Sequence, residues 1–153
     1  MTQDLEPKGE LMIQLRIKYL TDIKEITVSD NGDWIDLRCA ETVELEPLEY
    51  MCLPLGICVE LPKGYSAIIA PRSSTFKKWG ILQVNSPGII DESYCGDNDQ
   101  WYLPVIAMRK TIIYKNDRIC QSRLIKKTDN IEFQKTNKLG NRDRGGLGST
   151  GRN

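Results

Sequence analysis

The run at residues 141–153 combines the chemical groups that bind a polyphosphate. Its glycines allow backbone N–H groups to close around an anion, its arginines supply positive charge, and Ser149 and Thr150 add hydroxyl donors. The match to G-x-G-x-x-G at 146–151 is not a dinucleotide fingerprint, because that motif must follow a strand and open a helix. By itself the run is equally compatible with a frayed, glycine-rich terminus.

A second polar group occurs at residues 71–74, where a predicted strand meets a short predicted helix. Arg72 supplies a guanidinium, Ser73 and Ser74 supply hydroxyls, and successive backbone N–H groups at such a junction can bind phosphate. The alternative is an ordinary serine N-cap beside a solvated arginine.

Residues 85–96 predict a hairpin that presents Asp91 and Tyr94 close together. An aspartate next to the apolar pair Ile89 and Ile90 could act as a general base towards water. A tyrosine ring could lie flat against a sugar or a base. An ordinary hairpin with a capping aspartate explains the same residues without any catalytic role.

Two further polar candidates lie on predicted strands. Gln121 follows Asp117 and Arg118 near the start of one strand, and Asp36 lies within another. Both could be outward side chains of amphipathic strands, and Asp36 could equally be a buried ion-pair partner.

The composition restricts the chemistry open to these groups. The chain has no histidine, which excludes the common zinc-hydrolase sites and Ser-His triads, so carboxylates must perform any proton transfer.

The charge and the cysteines indicate the partners and the compartment. Lys+Arg and Asp+Glu are both 21, so no net charge favours nucleic acid or an acidic membrane. The five cysteines form no C-x-x-C pair and are interpreted as reduced thiols, mostly in the core. No apolar run reaches the roughly 18 residues of a spanning helix, and we expect a cytoplasmic protein.

The elements that position these groups are short strands separated by turns. At residues 13–19 apolar and polar side chains alternate, as in a half-buried strand. The one plausible helix covers residues 74–79 and ends at Gly80. Further strands are predicted at 35–40, 49–55, 57–61, 66–70, 101–108, 111–115, 118–126 and 132–135. Many short strands with almost no helix predict one all-β domain, an antiparallel sandwich, jelly roll or small barrel.

In order and spacing, these segments resemble the motifs of the trimeric all-β dUTPases, which hydrolyse dUTP to dUMP and pyrophosphate. The closest matches are Pro-Arg-Ser-Ser at 71–74, Gly-Ile-Ile-Asp-Glu-Ser-Tyr-Cys-Gly at 88–96, Asp-Arg-Ile-Cys-Gln at 117–121 and Gly-Gly-Leu-Gly-Ser-Thr-Gly at 145–151. The resemblance implies a jelly-roll-like antiparallel β-barrel or sandwich that assembles as a homotrimer with shared active sites. It also implies a β domain at residues 1–140 and a phosphate-binding arm at 141–153.

The same resemblance implies a role for each candidate residue. Asp91 looks like the carboxylate that orients and deprotonates the attacking water, and Tyr94 like the platform under deoxyribose. The cofactor implied is Mg²⁺, held by the triphosphate and water, with Asp36 acting on it indirectly. The residues that recognise uracil in the family correspond to Asn85, Gly88 and Ile90. The phosphate contacts correspond to Arg72, Ser73, Ser74, Gln121, Arg142, Gly148, Ser149 and Thr150.

The arm departs from the family at Leu147, where the family usually places a phenylalanine over the uracil. Leucine covers apolar surface but has no π-face for stacking. We therefore expect an aromatic side chain from elsewhere to complete this lid. Trp101 and Tyr102 are the nearest large rings after the hairpin, and on a strand they point to opposite faces, so only one of them can reach the base. The alternative is that both are core or interface residues.

Two other functions stay open. A dCTP deaminase of the same fold would need a carboxylate at the exocyclic amine of the base, and residues 99–108 offer no glutamate. A nucleotide-dependent regulatory protein without turnover would not need Asp91, Gln121 and Arg142 together. The partners we expect are dUTP and further copies of the chain, without nucleic acid or membrane. A regulatory protein partner is possible but cannot be named, and a viral chain would act in the host cytoplasm.

Overall fold

The computed structural model describes residues 12–30, 33–148 and 151. Within these ranges the chain forms eleven strands and one short helix. The strands are β1 (Arg16–Tyr19), β2 (Ile35–Arg38), β3 (Val43–Leu45), β4 (Tyr50–Pro54), β5 (Ile57–Glu60), β6 (Tyr65–Pro71), β7 (Ile81–Gln83), β8 (Gly88–Ile90), β9 (Tyr102–Ala107), β10 (Thr111–Ile113) and β11 (Arg118–Lys126), and the helix is α1 (Thr75–Trp79). The prediction of an all-β fold with at most one short helix is confirmed.

Every strand pairing is antiparallel. A four-stranded sheet has the order β2-β11-β6-β8, and a three-stranded sheet has the order β4-β9-β7. Two further pairs, β1 with β5 and β3 with β10, complete the set. The long strands β6 and β11 pair over their full overlap, from Cys120 opposite Pro71 to Lys126 opposite Tyr65. This pairing fixes the positions of the candidate site residues at both ends of β6.

The core lies between the inward faces of these sheets. Strands β3, β9 and β10 alternate buried and partly exposed residues, as half-buried strands should. Trp101 precedes β9 and is only 3% exposed, so it is a core residue. Cys39, Cys58 and Cys120 are buried, as expected of small apolar side chains, whereas Cys52 and Cys95 are exposed.

The predicted helix and its end are confirmed. Helix α1 begins after Ser74 and stops at Gly80, whose φ of 63° lies in the left-handed region that glycine adopts without strain. A Cβ at Gly80 would also lie 2.7 Å from Cγ of Arg109, so a larger residue would be strained at this φ and would displace the Arg109 side chain. In the part of the chain that the structure describes, no helix is long and apolar enough to cross a membrane.

Some strand predictions were wrong. Residues 132–135 form no strand, because no neighbouring strand of the same chain supplies hydrogen bonds, and Phe133 is 95% exposed. Strand β1 begins at Arg16 rather than at residue 13, and β9 begins after Trp101. Strands β3 and β7 were not predicted, since three residues are too few for a periodic pattern.

Candidate active site

The four-stranded sheet brings Asp36 together with two arginines. Asp36 on β2 lies opposite Gln121 on β11. Its Oδ1 atom is 2.9 Å from Nε of Arg72, and its Oδ2 atom is 3.1 Å from Nη1 of Arg118. Arg72 also donates from Nη1 to the carbonyl oxygen of Arg118 at 3.2 Å. One carboxylate therefore orients two guanidinium groups at the end of the sheet.

The segment at 71–74 joins β6 to α1 next to these arginines. Gln121 donates from Nε2 to the carbonyl oxygen of Pro71 at 3.1 Å, which places its amide at the same corner. Ser74 occupies the N-cap position but makes no side-chain cap bond. Ser73 is exposed, so both hydroxyls are available to a ligand. The structure thus groups Arg72, Ser73, Ser74 and Gln121 as donors for an anion.

The sequence interpretation missed Thr75, which anchors this corner. Its buried hydroxyl accepts from the backbone N–H of Arg72 at 2.8 Å and donates to the carbonyl oxygen of Ile119 at 3.0 Å. A bulge in β11 between Arg118 and Cys120 accompanies this contact. Bulges re-aim side chains near functional sites, and here Arg118 faces Asp36 while Ile119 and Cys120 are both buried. Nothing in the residue type of Thr75 signals this role.

The two-stranded hairpin predicted at 85–96 is not formed, because β8 pairs with β6 and no strand follows it before Tyr102. We use hairpin below for β8 with the turn after it, and this turn holds Asp91 through Ser93. Oδ1 of Asp91 accepts the backbone N–H of Ser93 at 2.9 Å and its hydroxyl at 2.8 Å. These two hydrogen bonds, with a smaller contribution from the positive charge of Lys127, lower the pKa of the Asp91 carboxyl. Oδ2 accepts no hydrogen bond from the described residues. Asp91 is therefore an exposed, ionised carboxylate with one oxygen open to a water molecule.

Tyr94 lies close to Asp91, as predicted, although the two residues share a turn and not a two-stranded hairpin. The backbone N–H of Tyr94 donates to the carbonyl oxygen of Asp91 at 3.1 Å, and its hydroxyl donates to the carbonyl oxygen of Gln100 at 2.8 Å. Partial burial, followed by the negative charge of Asp99, raises the pKa of the Tyr94 hydroxyl. The ring is therefore fixed at both ends and stays neutral.

Asn85 and Gly88 lie beside Gln83, a second residue that the sequence interpretation missed. Gln83 donates from Nε2 to the carbonyl oxygen of Ile69 at 3.0 Å, and lies 3.4 Å from Oδ1 of Asn85. Its Oε1 atom is buried without a partner among the described residues. A Cβ at Gly88 would lie 3.1 Å from Nε2 of Gln83, so a larger residue would require the Gln83 amide to shift by a few tenths of an ångström. Ile90 ends β8 half-buried.

Glu92 fastens the hairpin to the far end of β6. Its Oε2 atom accepts the backbone N–H of Gly64 at 3.0 Å and pairs with Nζ of Lys127 at 2.9 Å. The Lys127 contact and then the Gly64 hydrogen bond lower the pKa of Glu92, and the same ion pair raises the pKa of Lys127. Lys127 directly follows β11, so the hairpin is tied to the start of the C-terminal segment.

The two groups of site residues lie at opposite ends of β6 within one chain. Ile90 pairs with Ala67, so Asp91 lies beside Ser66, whereas Arg72 directly follows Pro71. The stretch of β6 from Ser66 to Pro71 measures about 16 Å at the rise of an extended strand. The Asp91 carboxylate of one chain therefore does not face the phosphate-binding corner of that same chain.

The two rings considered for the lid differ in exposure. Trp101 is in the core, and its backbone is hydrogen-bonded to Leu55 and Ile57. Tyr102 is 41% exposed, and its hydroxyl accepts from Nε2 of Gln100 at 3.0 Å. Of the two, only Tyr102 presents its ring to a ligand.

The C-terminal segment extends away from the sheets. Its residues from Lys127 to Gly148 are exposed, including Arg142, Leu147 and Gly148. The hydrogen bonds of this segment beyond Lys127 are local, such as that from Gly151 N–H to the carbonyl oxygen of Gly148 at 3.1 Å. Ser149 and Thr150 lie outside the described residues. Within one chain the arm residues that the structure describes are not brought to either half of the site.

The phosphate-binding corner offers one carboxylate, Asp36, that could act on a magnesium ion. Among the described residues no cluster of three or more carboxylate, thiol or imidazole side chains could hold a metal ion. Each oxygen of Asp36 already contacts one arginine, so fewer of its lone pairs remain for a metal ion. Its remaining lone pairs can still accept a hydrogen bond from metal-bound water.

Comparison with known proteins identifies the family. The family model described as dUTPase matches residues 23–151. The chain is 51% identical over 140 residues to the SPbeta prophage-derived deoxyuridine 5'-triphosphate nucleotidohydrolase YosS of Bacillus subtilis (strain 168), covering 91% of this chain and 99% of that protein. The suspected family resemblance is therefore confirmed.

Two solved structures share the fold. A mutant dUTPase of Staphylococcus bacteriophage 80alpha with dUpNHpp is similar with a TM-score of 0.74 at 18% identity, covering 92% of this chain and 100% of that one. A mutant dUTPase from phage phi11 of S. aureus, which coordinates a structural Mg(II) ion, has a TM-score of 0.69 at 18% identity, covering 83% and 99%. These likenesses confirm the jelly-roll-like fold class.

Proposed function

Because the chain belongs to the dUTPase family, we propose that it hydrolyses dUTP to dUMP and pyrophosphate. The observation that carries this proposal is the anion-binding corner around Arg72 and Gln121. Asp91 directly follows β8 of the same sheet, and its ionised carboxylate has one oxygen without a hydrogen bond from the described residues. Water attack on a phosphorus atom needs a base and donors aimed at the phosphoryl oxygens. The chain supplies both without histidine.

Asp91 orients the attacking water through its open Oδ2 atom and accepts the proton as the water attacks the α-phosphorus. The bond from the α-phosphorus to the bridging oxygen then breaks, and pyrophosphate leaves. Arg72, Ser73, Ser74 and Gln121 donate to the α- and β-phosphate oxygens, where negative charge develops. Asp36 holds Arg72 in position for this contact.

The hairpin recognises the nucleoside part of the substrate. The backbone at Gly88 and Ile90, with the Asn85 side chain, binds the polar edge of uracil, and a hairpin this close to the base leaves no space for a 5-methyl group. Tyr94 lies under the deoxyribose and disfavours a 2′-hydroxyl. Its hydrogen bond to Gln100 keeps the ring in place.

Magnesium would be bound by the triphosphate oxygens and water, with Asp36 accepting a hydrogen bond from one water ligand. When bound, the ion offsets the negative charge of the triphosphate. The engagement of Asp36 by two arginines supports this indirect role over direct coordination.

The segment at 141–153 is proposed to act as an arm on the β domain at residues 1–140. Arg142, Gly148, Ser149 and Thr150 would close over the β- and γ-phosphates, with Leu147 against the uracil. The left-handed φ angles of Gly145 and Gly148 (81° and 84°) support a tight backbone wrap around an anion. Its extension away from its own chain supports closure on another subunit.

A homotrimer with shared sites is proposed from two features. The distance of about 16 Å along β6 separates the hairpin group from the phosphate corner within one chain. The outer face of the three-stranded sheet also carries exposed apolar side chains. Tyr50 lies opposite Ile106, and Leu82 lies opposite Ile106 from the other side. A contiguous apolar face of this kind is typical of a subunit interface.

The test is pyrophosphate release by the full chain with magnesium, measured separately for dUTP, dTTP, dCTP and UTP. We expect turnover of dUTP alone, and no ammonia from dCTP. Asp91→Asn should keep dUTP binding and lose turnover by about 10²- to 10⁴-fold, since the amide cannot accept a proton. Comparable turnover of dTTP or UTP would contradict the proposed specificity. Near-normal turnover by Asp91→Asn would show that Asp91 only stabilises the turn and is not the general base.

A further inference from the structure

A small pocket beside the hairpin carries two of the five cysteines. Cys58 on β5 and Cys95 in the loop after Tyr94 line one cavity of about 140 Å³. Arg16 and Lys18 on β1 and Asp97 line the same cavity. The pocket does not overlap the uracil-reading residues or the phosphate corner, so none of the roles proposed above uses it.

The buried thiol of Cys58 is held against the loop that carries Cys95. Cys58 lies directly opposite Lys18 in the β1–β5 pair. Its Sγ atom donates to the carbonyl oxygen of Asp97 at 3.4 Å, and Nζ of Lys18 donates to that same oxygen at 3.1 Å. Since Asp97 follows Cys95 by two positions, the Cys58 thiol contacts the loop next to the second cysteine.

The two thiols differ in accessibility. Cys58 is 4% exposed, and its burial raises the pKa of its thiol, although the positive charge of Lys18 opposes this effect. Cys95 is exposed and meets a dissolved reagent first. An exposed thiol beside cationic side chains, with a buried thiol behind it, is the arrangement of an attacking and a resolving cysteine.

We propose that Cys95 is a site of thiol–disulfide exchange and that Cys58 is its resolving partner, with a low-molecular-weight disulfide such as oxidised glutathione as the co-reactant. The Cys95 thiolate attacks one sulfur of the reagent, the reagent's S–S bond breaks, and one glutathione thiolate leaves. Cys58 then releases its proton to solvent and attacks the Cys95 sulfur, and the second glutathione thiolate leaves. Two protein thiols are oxidised to one disulfide, and one reagent disulfide is reduced to two thiols.

The new bond acts on the hairpin through Tyr94. A disulfide requires the Cβ atoms of Cys58 and Cys95 to approach to about 3.8 Å, which draws the loop towards β5. Tyr94 directly precedes Cys95, and its hydroxyl is held by the carbonyl oxygen of Gln100. Displacing the ring by about 1 Å is enough to slow catalysis roughly 100-fold. This kinetic consequence rests on the proposed dUTP hydrolysis, whereas formation of the disulfide does not.

The experiment treats the folded, full-length protein with oxidised glutathione and maps its disulfides by non-reducing peptide mass spectrometry. We expect a Cys58–Cys95 linkage in the wild type and in Cys52→Ser, which removes the other exposed cysteine. Cys95→Ser should form no such linkage. Cys58→Ala should stop at a glutathione adduct on Cys95, which also shows that this variant is folded enough to react.

The results separate the two parts of the inference. Stable glutathione adducts on Cys95 in the wild type, or a linkage formed only after denaturation, would overturn the exchange site. If the linkage forms, dUTP turnover should fall at least tenfold, return with dithiothreitol, and stay unchanged in treated Cys95→Ser. A linkage without loss of turnover would overturn the action on Tyr94 alone. Absence of turnover in the untreated protein would instead contradict the proposed function.

Discussion

In the proposed mechanism, the two oxygens of the Asp91 carboxylate have different roles. Oδ1 is occupied by the backbone N–H and the hydroxyl of Ser93, and Oδ2 is left for water. The hydrogen bonds that fix the side chain also lower its pKa, so Asp91 is ionised at neutral pH but accepts a proton less readily than a base of higher pKa would. Ser93 therefore orients the Asp91 carboxylate and at the same time lowers its basicity.

Ser93→Ala should move the acid limb of the pH profile upwards. The variant removes the hydroxyl bond to Oδ1 and keeps the backbone bond, so the pKa of Asp91 rises towards its ordinary value of about 3.9. Because the base must be ionised, activity should then be lost at a higher pH than in the wild type. The measurement is kcat/KM for dUTP from about pH 3 to pH 7, with the exposed Ser86→Ala as control. An unmoved or lowered acid limb would contradict this assignment.

Tyr102 is the ring that we expect to compensate for Leu147. Tyr102→Ala should weaken dUTP binding by about 1–3 kcal/mol, the value of a stacked base, while Tyr102→Phe keeps the ring and should bind normally. The checks are calorimetric affinity for dUpNHpp and the oligomeric state of each variant. Trp101→Ala is uninformative, because emptying a core site of this size destabilises the fold by about 3–5 kcal/mol. Equal affinity of the alanine and phenylalanine variants would leave the uracil covered by Leu147 alone.

At the level of elements, the sequence was sufficient where a pattern spans several residues. The long strand at 118–126 and the helix that ends at Gly80 were predicted with correct bounds or nearly so. Thr75 and Gln83 were missed, because their roles depend on partners in other strands, Ile119 and Ile69. A strand was also predicted at 132–135, but pairing within the described chain does not occur there.

Ordering of the arm should follow triphosphate binding. Its glycines make ordering entropically unfavourable until phosphate charge compensates. Trypsin should therefore cut after Arg142 and Arg144, which are exposed, in the free protein, and dUpNHpp should protect both sites. Cleavage in the exposed segment at Lys135, outside the proposed arm, provides the reference rate.

Truncation after Gly140 should abolish hydrolysis while thermal stability and oligomeric state stay unchanged, because the arm makes no contact with the core of its own chain in the described residues. A truncated chain that stays active would contradict the arm's role in catalysis. A truncated chain that dissociates would show that the arm is part of the assembly.

For the whole molecule, the outer face of the three-stranded sheet is the surface on which assembly should depend. Leu82→Arg places a charge among Tyr50 and Ile106, and we expect it to dissociate the trimer and to abolish dUTP hydrolysis together. Ile112→Arg changes an equally exposed apolar residue on a different sheet (42% against 44%) and should do neither. Native mass spectrometry and turnover measure the two effects. A trimeric and active Leu82→Arg protein would place the interface elsewhere.

The separation of Asp91 from Arg72 along β6 also has a consequence for inheritance. If one working site takes its hairpin from one chain and its phosphate corner from another, two different defective chains can repair each other. An Asp91→Asn chain still carries an intact corner, and a Gln121→Ala chain still carries an intact hairpin. Each should be inactive alone. Random co-assembly of equal amounts should nevertheless restore roughly one quarter of the sites, so a cell carrying both alleles would recover activity that neither allele encodes.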